Sequence, residues 1–146
     1  MRAILPATLN GISIKARARV TYIGQTLPTS WPMQRGTSTK AGMVLHEWVV
    51  MPNHVHVIVW PMPNHLLSDI LKSWKQFTSR RAKKILHLGE EPFWQPESYD
   101  HWIRNDEERA RIARYIRNNP VTAGLCANVV AWSRSADFEV CCVTGF

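Results

Sequence analysis

His54 and His56 stand two residues apart in the run HVHVIVW. Side chains alternate between faces along an extended chain, so on a strand both imidazoles project from one face and can reach a single divalent cation. Two half-exposed histidines on the solvent side of a strand would have the same spacing, and the pair alone does not choose between these readings. Tyr115 and Asn119 are four residues apart, which on a helix stacks them on one face. Asn119 offers an amide oxygen to a hard cation, and Tyr115 offers a phenolic oxygen able to attack phosphorus. A cation held by imidazoles and one amide oxygen would polarise a phosphate and keep positions open for it. Against this, a helix tyrosine beside Ile112 and Ile116 can simply be buried, and an asparagine next to Pro120 can simply end a helix near left-handed geometry.

Both pairs need elements that hold them. Val44–Met51 (VLHEWVVM) is a β-rich run broken by Met51-Pro52-Asn53, and His54–Trp60 is a second, ended by Pro61-Met62-Pro63. In the second run Val55, Val57 and Val59 form the core face, opposite His54, His56, Ile58 and Trp60. A short turn between the runs predicts adjacent antiparallel strands. Leu67–Leu86 is predicted helical, with Ser68 as N-cap, Asp69 in the first turn and Gly89 just past the end. Its buried stripe is Ile70, Leu71, Trp74, Phe77, Ala82 and Ile85. Glu90–Gln95 reads as a turn carrying an aromatic pair, and Tyr99–Arg104 as a short strand. Asp106 is expected to cap a second helix, Glu107–Asn118, which Pro120 should stop. Upstream, Arg17–Ile23 (RARVTYI) alternates as a strand would, and Gly24–Gly42 reads as a long loop. Strand, strand, helix, strand, helix implies an α+β sandwich on an antiparallel sheet.

Composition bounds the function. The 146 residues carry 18 Lys plus Arg against 11 Asp plus Glu, a formal charge of +7 that favours a polyanionic partner such as nucleic acid. The apolar share of 45% with 20% charged residues is a globular balance and excludes a disordered tail. No apolar run approaches the ~20 residues of a membrane-spanning helix, and the opening MRAILPATLNG has no continuous apolar block of a secretory signal. Cys126, Cys141 and Cys142 fit neither a disulfide framework nor a zinc spacing, so free thiols in a reducing cytoplasm are expected.

Four motifs together, WVVMPNHVHVIVWP, LKSWKQFTSRRAKKIL, FWQPESYDHWIRN and RYIRNNPVTAGL, resemble the REP-associated tyrosine transposases. These are bacterial relatives of the single-tyrosine HUH transposases that act on single-stranded DNA. The likeness spans roughly residues 44–133, within one expected domain over residues 1–146 whose segments 1–42 and 134–146 match poorly. It implies the HUH-nuclease (ferredoxin-like) sandwich, a central antiparallel sheet flanked by helices. It also implies that His54, His56 and Asn119 are ligands of Mg²⁺ or Mn²⁺, and that Tyr115 is the nucleophile that becomes joined to a DNA 5′ end, leaving a free 3′-OH. A phenol with an ordinary pKa near ~10 is a poor nucleophile at neutral pH and needs help with the phosphate charge. Tyrosine in place of water keeps the bond energy in a phosphoester, which permits religation. Related chains open with a strand of the type YHVT or YFVT, and RARVTYIG is the segment here that resembles it.

Lys72, Lys75, Arg80, Arg81, Lys83 and Lys84 on the first helix, with Arg104, Arg109, Arg111, Arg114 and Arg117, are candidate phosphate contacts or else a solvated face. Trp94, Tyr99 and Trp102 could stack on unpaired bases, although Phe93 and Trp102 are read mainly as packing. Gln95 and His101 receive no role. The expected partner is single-stranded or hairpin DNA and not a membrane, for a monomer or homodimer in the bacterial cytoplasm, associated with the nucleoid. The rivals are a decayed or domesticated hairpin-DNA-binding protein and a histidine-triad nucleotide hydrolase. The latter expects a third alternating histidine where Ile58 stands.

Overall fold

The valine-rich run that the sequence assigns to the core organises the sheet. In a computed structural model, which describes residues 9–16, 38–39, 42–87 and 89–132, β3 (Met43–Val50) and β4 (His54–Pro61) pair antiparallel across the Met51–Asn53 turn. β1 (Leu9–Ala16) lies between β4 and β5 (Trp94–Ile103), and the two-residue β2 (Ser38–Thr39) borders β3. The sheet order is β2-β3-β4-β1-β5, antiparallel throughout. Among the described residues two helices, α1 (Leu67–Leu86) and α2 (Asp106–Thr122), complete the α+β fold, followed by a 3-10 turn at Val129–Ala131.

Each helix takes one face. On the α1 face, Val55, Val57 and Val59 join Leu45, Trp48, Ile12, Phe93 and the helix residues Ile70, Leu71 and Ala82. On the α2 face, Val49, Met51, Ile58 and Ile103 meet Ile116, with Ile112 and Trp132 against them. A register shift between Leu45 and Glu47 sets both faces. His46 is the extra residue of this bulge, so Leu45 and Trp48 pack toward α1 while Glu47 and Val49 turn toward α2.

Several local expectations are corrected. The strand that completes the sheet is Leu9–Ala16, whereas Arg17–Ile23 lies outside the described residues. Asn10 and Gly11 are poor strand formers, and hydrogen bonding on both sides makes this segment a strand. Ser68 does not cap α1: Leu66 occupies the N-cap in extended geometry without a side-chain bond. The stop is His87, left-handed at φ 51°, in place of Gly89. Phe77 falls off the buried stripe, which steps through Ile70, Trp74, Thr78 and Ala82. Thr78 is buried there, its hydroxyl donating to the Trp74 carbonyl at 2.7 Å and accepting from Trp94 Nε1 at 2.6 Å. β5 begins five residues before the expected Tyr99, where Lys75 Nζ donates to the Gln95 and Pro96 carbonyls at 3.0 and 2.9 Å.

At α2 the cap is Asn105, whose side chain accepts from the Glu108 amide at 2.8 Å, and not Asp106. The helix also runs through Pro120 to Thr122. Proline removes one amide donor, but here it does so in the last turn, and its ring is fully buried. Ala123 N donates to Asn119 O at 2.9 Å, which continues the helical ladder.

A buried ion pair ties α2 to β3. Glu47 is 2% exposed, and one of its carboxylate oxygens accepts from Arg117 Nη2 at 2.6 Å and Nε at 2.9 Å. Arg117, expected at a DNA phosphate, is therefore committed to Glu47, because a buried carboxylate cannot stay unpaired. Glu47→Gln should lower the thermal midpoint by about 3–8 °C, the loss of a charge-assisted bond worth roughly 1–2 kcal/mol with one half-exposed partner. Arg109→Ala removes only the exposed pair with Asp106 at 3.1 Å and should cost under ~0.5 kcal/mol. Equal melting of the two variants would show that the buried pair contributes no more than a surface one.

Candidate active site

The α2 face of the sheet is only partly covered by its helix, and the uncovered part is a groove of about 720 Å³ with His54, His56 and Tyr115 in its wall. β4 supplies both histidines to one face, with Val49 of β3 and Ser13 of β1 as the lateral neighbours of His56. The imidazoles meet edge to face, ring centroids 4.6 Å apart. His54 Nδ1 lies 2.6 Å from Asn53 Oδ1. An amide oxygen only accepts, so Nδ1 carries the proton and the neutral ring holds its lone pair on Nε2. Burial, with repulsion from His54, pushes the His56 pKa down to about 4, which keeps this ring neutral.

Tyr115 belongs to the same chain's α2. Ile116 turns into the core and Ile112 packs beside it, so Tyr115 sits at the helix edge, 58% exposed. Its ring stands edge to face with His56 at a centroid distance of 5.6 Å. Asn119 follows one turn later on the helix, half-buried.

The donor set fits a divalent cation in part. Two imidazoles on one face, one oriented by a neighbouring amide and the other kept neutral by burial, are what such an ion requires from nitrogen ligands. Among the described residues no group of three or more His, Cys, Asp or Glu side chains converges to hold a metal. Asn119 or a bound phosphate could add an oxygen ligand there.

The candidate cations divide. α1 packs on the other face of the sheet, so its cations are not gathered around His56 and Tyr115. Of these, Lys75 holds β5 carbonyls, Lys83 Nζ donates to Glu90 O at 3.2 Å, Arg80 Nε donates to Gln76 O at 3.4 Å, and the Arg81 guanidinium lies 5.3 Å from the centre of the Phe77 ring. Lys72 and Lys84 are exposed. Arg104 and Arg114 are exposed, and Arg111 lines the groove. The aromatics exchange expectations. Trp94 is half-buried and bonded to Thr78, while Trp102, read as packing, is 65% exposed on the edge strand.

Sequence reasoning passed over a second pair. His101 Nε2 lies 2.9 Å from Glu108 Oε1, on the same side of the sheet as Tyr115. The Arg104 amide and His101 both bond the Glu108 carboxylate and hold it below the usual carboxylate range. The alternation of Tyr99, His101 and Ile103 in β5 was the available signal; an acid in the first turn of a helix otherwise reads as a dipole residue.

The family described as "Transposase IS200 like" matches residues 12–119. A REP-associated tyrosine transposase of Escherichia coli (strain K12) is 31% identical over 113 residues, covering 74% of this chain and 65% of that protein. An uncharacterized protein of Haemophilus influenzae is 26% identical over 99 residues, 53% of this chain and 54% of its own length. The chain thus spans less than two thirds of these relatives. A solved structure of a REP-associated tyrosine transposase bound to a REP hairpin superposes with a TM-score of 0.67 at 25% identity, covering 95% of this chain and 82% of that one. No described helix is long and apolar enough to cross a membrane.

The depressed His56 pKa has a signed consequence for the metal-free protein. The unfolded chain binds this proton below about pH 6.5 while the folded chain refuses it until about pH 4. Stability should therefore be full above pH 6.5 and fall as the pH drops toward 4, and His56→Gln should flatten that slope. In an NMR titration the His56 ring should stay neutral to near pH 4; a midpoint near 6.5 would overturn the assignment.

Proposed function

Because the chain belongs to the family of IS200-like transposases, we propose that it is a single-strand DNA endonuclease and strand transferase with Tyr115 as nucleophile. The observation that carries this reading is the contact between the Tyr115 and His56 rings within one chain, although the residues lie 59 positions apart in the sequence. In the proposed step the Tyr115 phenolic oxygen attacks the scissile phosphorus. An O–P bond forms to the 5′ side of the DNA, the bond from phosphorus to the 3′ oxygen breaks, and the phenolic proton is lost as the 3′ oxygen gains one. The reverse attack by another 3′-OH restores a phosphodiester and frees the tyrosine. Mg²⁺ or Mn²⁺, held by His54 and His56 with the Asn119 amide oxygen, would supply Lewis-acid stabilisation of the phosphate charge.

The exposure of Tyr115 supports this role, because a nucleophile must meet its substrate. A similar solved protein is bound to a REP hairpin, and we take the substrate here to be single-stranded DNA flanking such a hairpin, encountered in the cytoplasm. Arg111 lines the groove and, with the exposed Arg104 and Arg114, serves as a phosphate contact, while Lys72, Arg80, Arg81 and Lys84 contribute longer-range attraction from the α1 face.

Incubated with Mn²⁺ and a single-stranded hairpin oligonucleotide, the protein should form a covalent adduct that survives denaturing electrophoresis. Tyr115→Phe should abolish the adduct and leave the binding affinity within about threefold. Adduct of undiminished yield in that variant, or equal cleavage of duplex and single strands, would overturn the proposal. Binding with no adduct from the unaltered protein would mark it as a DNA-binding module alone.

A further inference from the structure

The groove continues past Tyr115 toward β5, and that end has its own polar and aromatic equipment. The pairing register runs from His56 through Ser13 to Tyr99, so Tyr99 stands on the same side of the sheet two strands away. Two strand spacings are roughly 9–10 Å. In the next row Gly11 pairs with both Ile58 and His101, with Ile112 of α2 packed over it, 3.7 Å from where a Cβ would stand. Tyr99 is 70% exposed although it lines the groove. The Tyr99 ring thus stands in solvent beside the groove, where it can meet an incoming base.

The polar groups agree. Arg111 lines the same end, its side chain 75% exposed and only 3.4 Å from Glu108 Oε1, a weak pair that leaves the guanidinium able to take an anion. Glu108 is held ionised, so the bond to His101 Nε2 needs a proton on that nitrogen, and in the neutral ring Nδ1 is the accepting atom. A stacking face, a cation and a fixed imidazole within one groove are the groups that recognise a nucleotide.

We propose that Tyr99, His101 and Arg111 form a subsite for one unpaired nucleotide adjacent to the phosphate attacked by Tyr115. Tyr99 stacks on the base, Arg111 meets the neighbouring phosphate, and Glu108 positions His101 against the base edge. This rests on the reading of the groove as a single-strand DNA site, and it adds a specific place and ligand for one base.

The test is equilibrium binding by fluorescence anisotropy in the Tyr115→Phe background, which removes chemistry from the measurement. The probe is a hairpin oligonucleotide with a single-stranded flank, and an abasic position is moved one step at a time along that flank. Tyr99→Ala should weaken binding about tenfold, as for the loss of one stacked base, while Tyr99→Phe stays within about twofold. On the oligonucleotide whose abasic position meets Tyr99, the Ala variant should show no further loss. Unchanged affinity of Tyr99→Ala, or a loss that persists undiminished at every abasic position, would overturn the subsite. Because Tyr99 is at the surface, matched thermal melts will show the variants folded. The adduct assay on the unaltered protein reads the nuclease proposal separately, so failure of one is not mistaken for failure of the other.

Discussion

The rotation of α2 about its own axis is the constraint on which the site depends. Successive helix residues point about 100° apart, and three consecutive ones do different work. Ile116 enters the core on Ile58 and Ile103, Tyr115 before it lies at the edge facing His56, and Arg117 after it reaches Glu47 on β3. The helix is thus held from one flank so that its other flank presents the phenol. A slip of one residue would turn Tyr115 away from the imidazoles and leave the Glu47 carboxylate buried without its cation. That penalty makes the ion pair a device for orientation more than for net stability, since a buried pair largely offsets its own desolvation.

The two sheet faces are correspondingly unequal. Under α1 the sheet is closed by branched and aromatic side chains, and even its polar member, Thr78, is absorbed by bonds to Trp74 and Trp94. Under α2 the core is smaller and the helix leaves part of the sheet open, where His54, His56, Tyr99 and His101 project. The abundant charge on α1 therefore does not neutralise a phosphate held at Tyr115. Among the described cations, Arg111 of α2 is the one that lines the groove beside Tyr115.

How far the sequence disclosed this depends on the range of each interaction. Period-two alternation placed His54 and His56 on one face and the three valines on the other, and helical spacing delimited α1, because these signals are local. β1 was invisible, since Asn10 and Gly11 carry no strand preference and the segment becomes a strand only through neighbours 39 or more residues away. Strict alternation in VLHEWVV puts Glu47 beside Leu45, and only the bulge at His46 sends it to the other face. The pairing with Arg117 spans 70 residues and could not be read before that bulge was known. Pro120 misled for a related reason: its local cost is real, but burial of its ring in the last turn offsets it.

Opposite demands meet at the groove wall, and their reconciliation explains where the site lies. The proposed nitrogen ligand serves best when its ring is neutral and sheltered from water, and His56 gains this from flanking strands on both sides, β1 and β3. The proposed nucleophile must be open to a polymer, and Tyr115 gains that from its place off the buried helix stripe. A strand buried on both faces would hide the tyrosine, and an edge strand would expose the histidine. Only the margin of a helix lying across an interior strand offers both environments within one ring contact, and β4 under α2 is that margin.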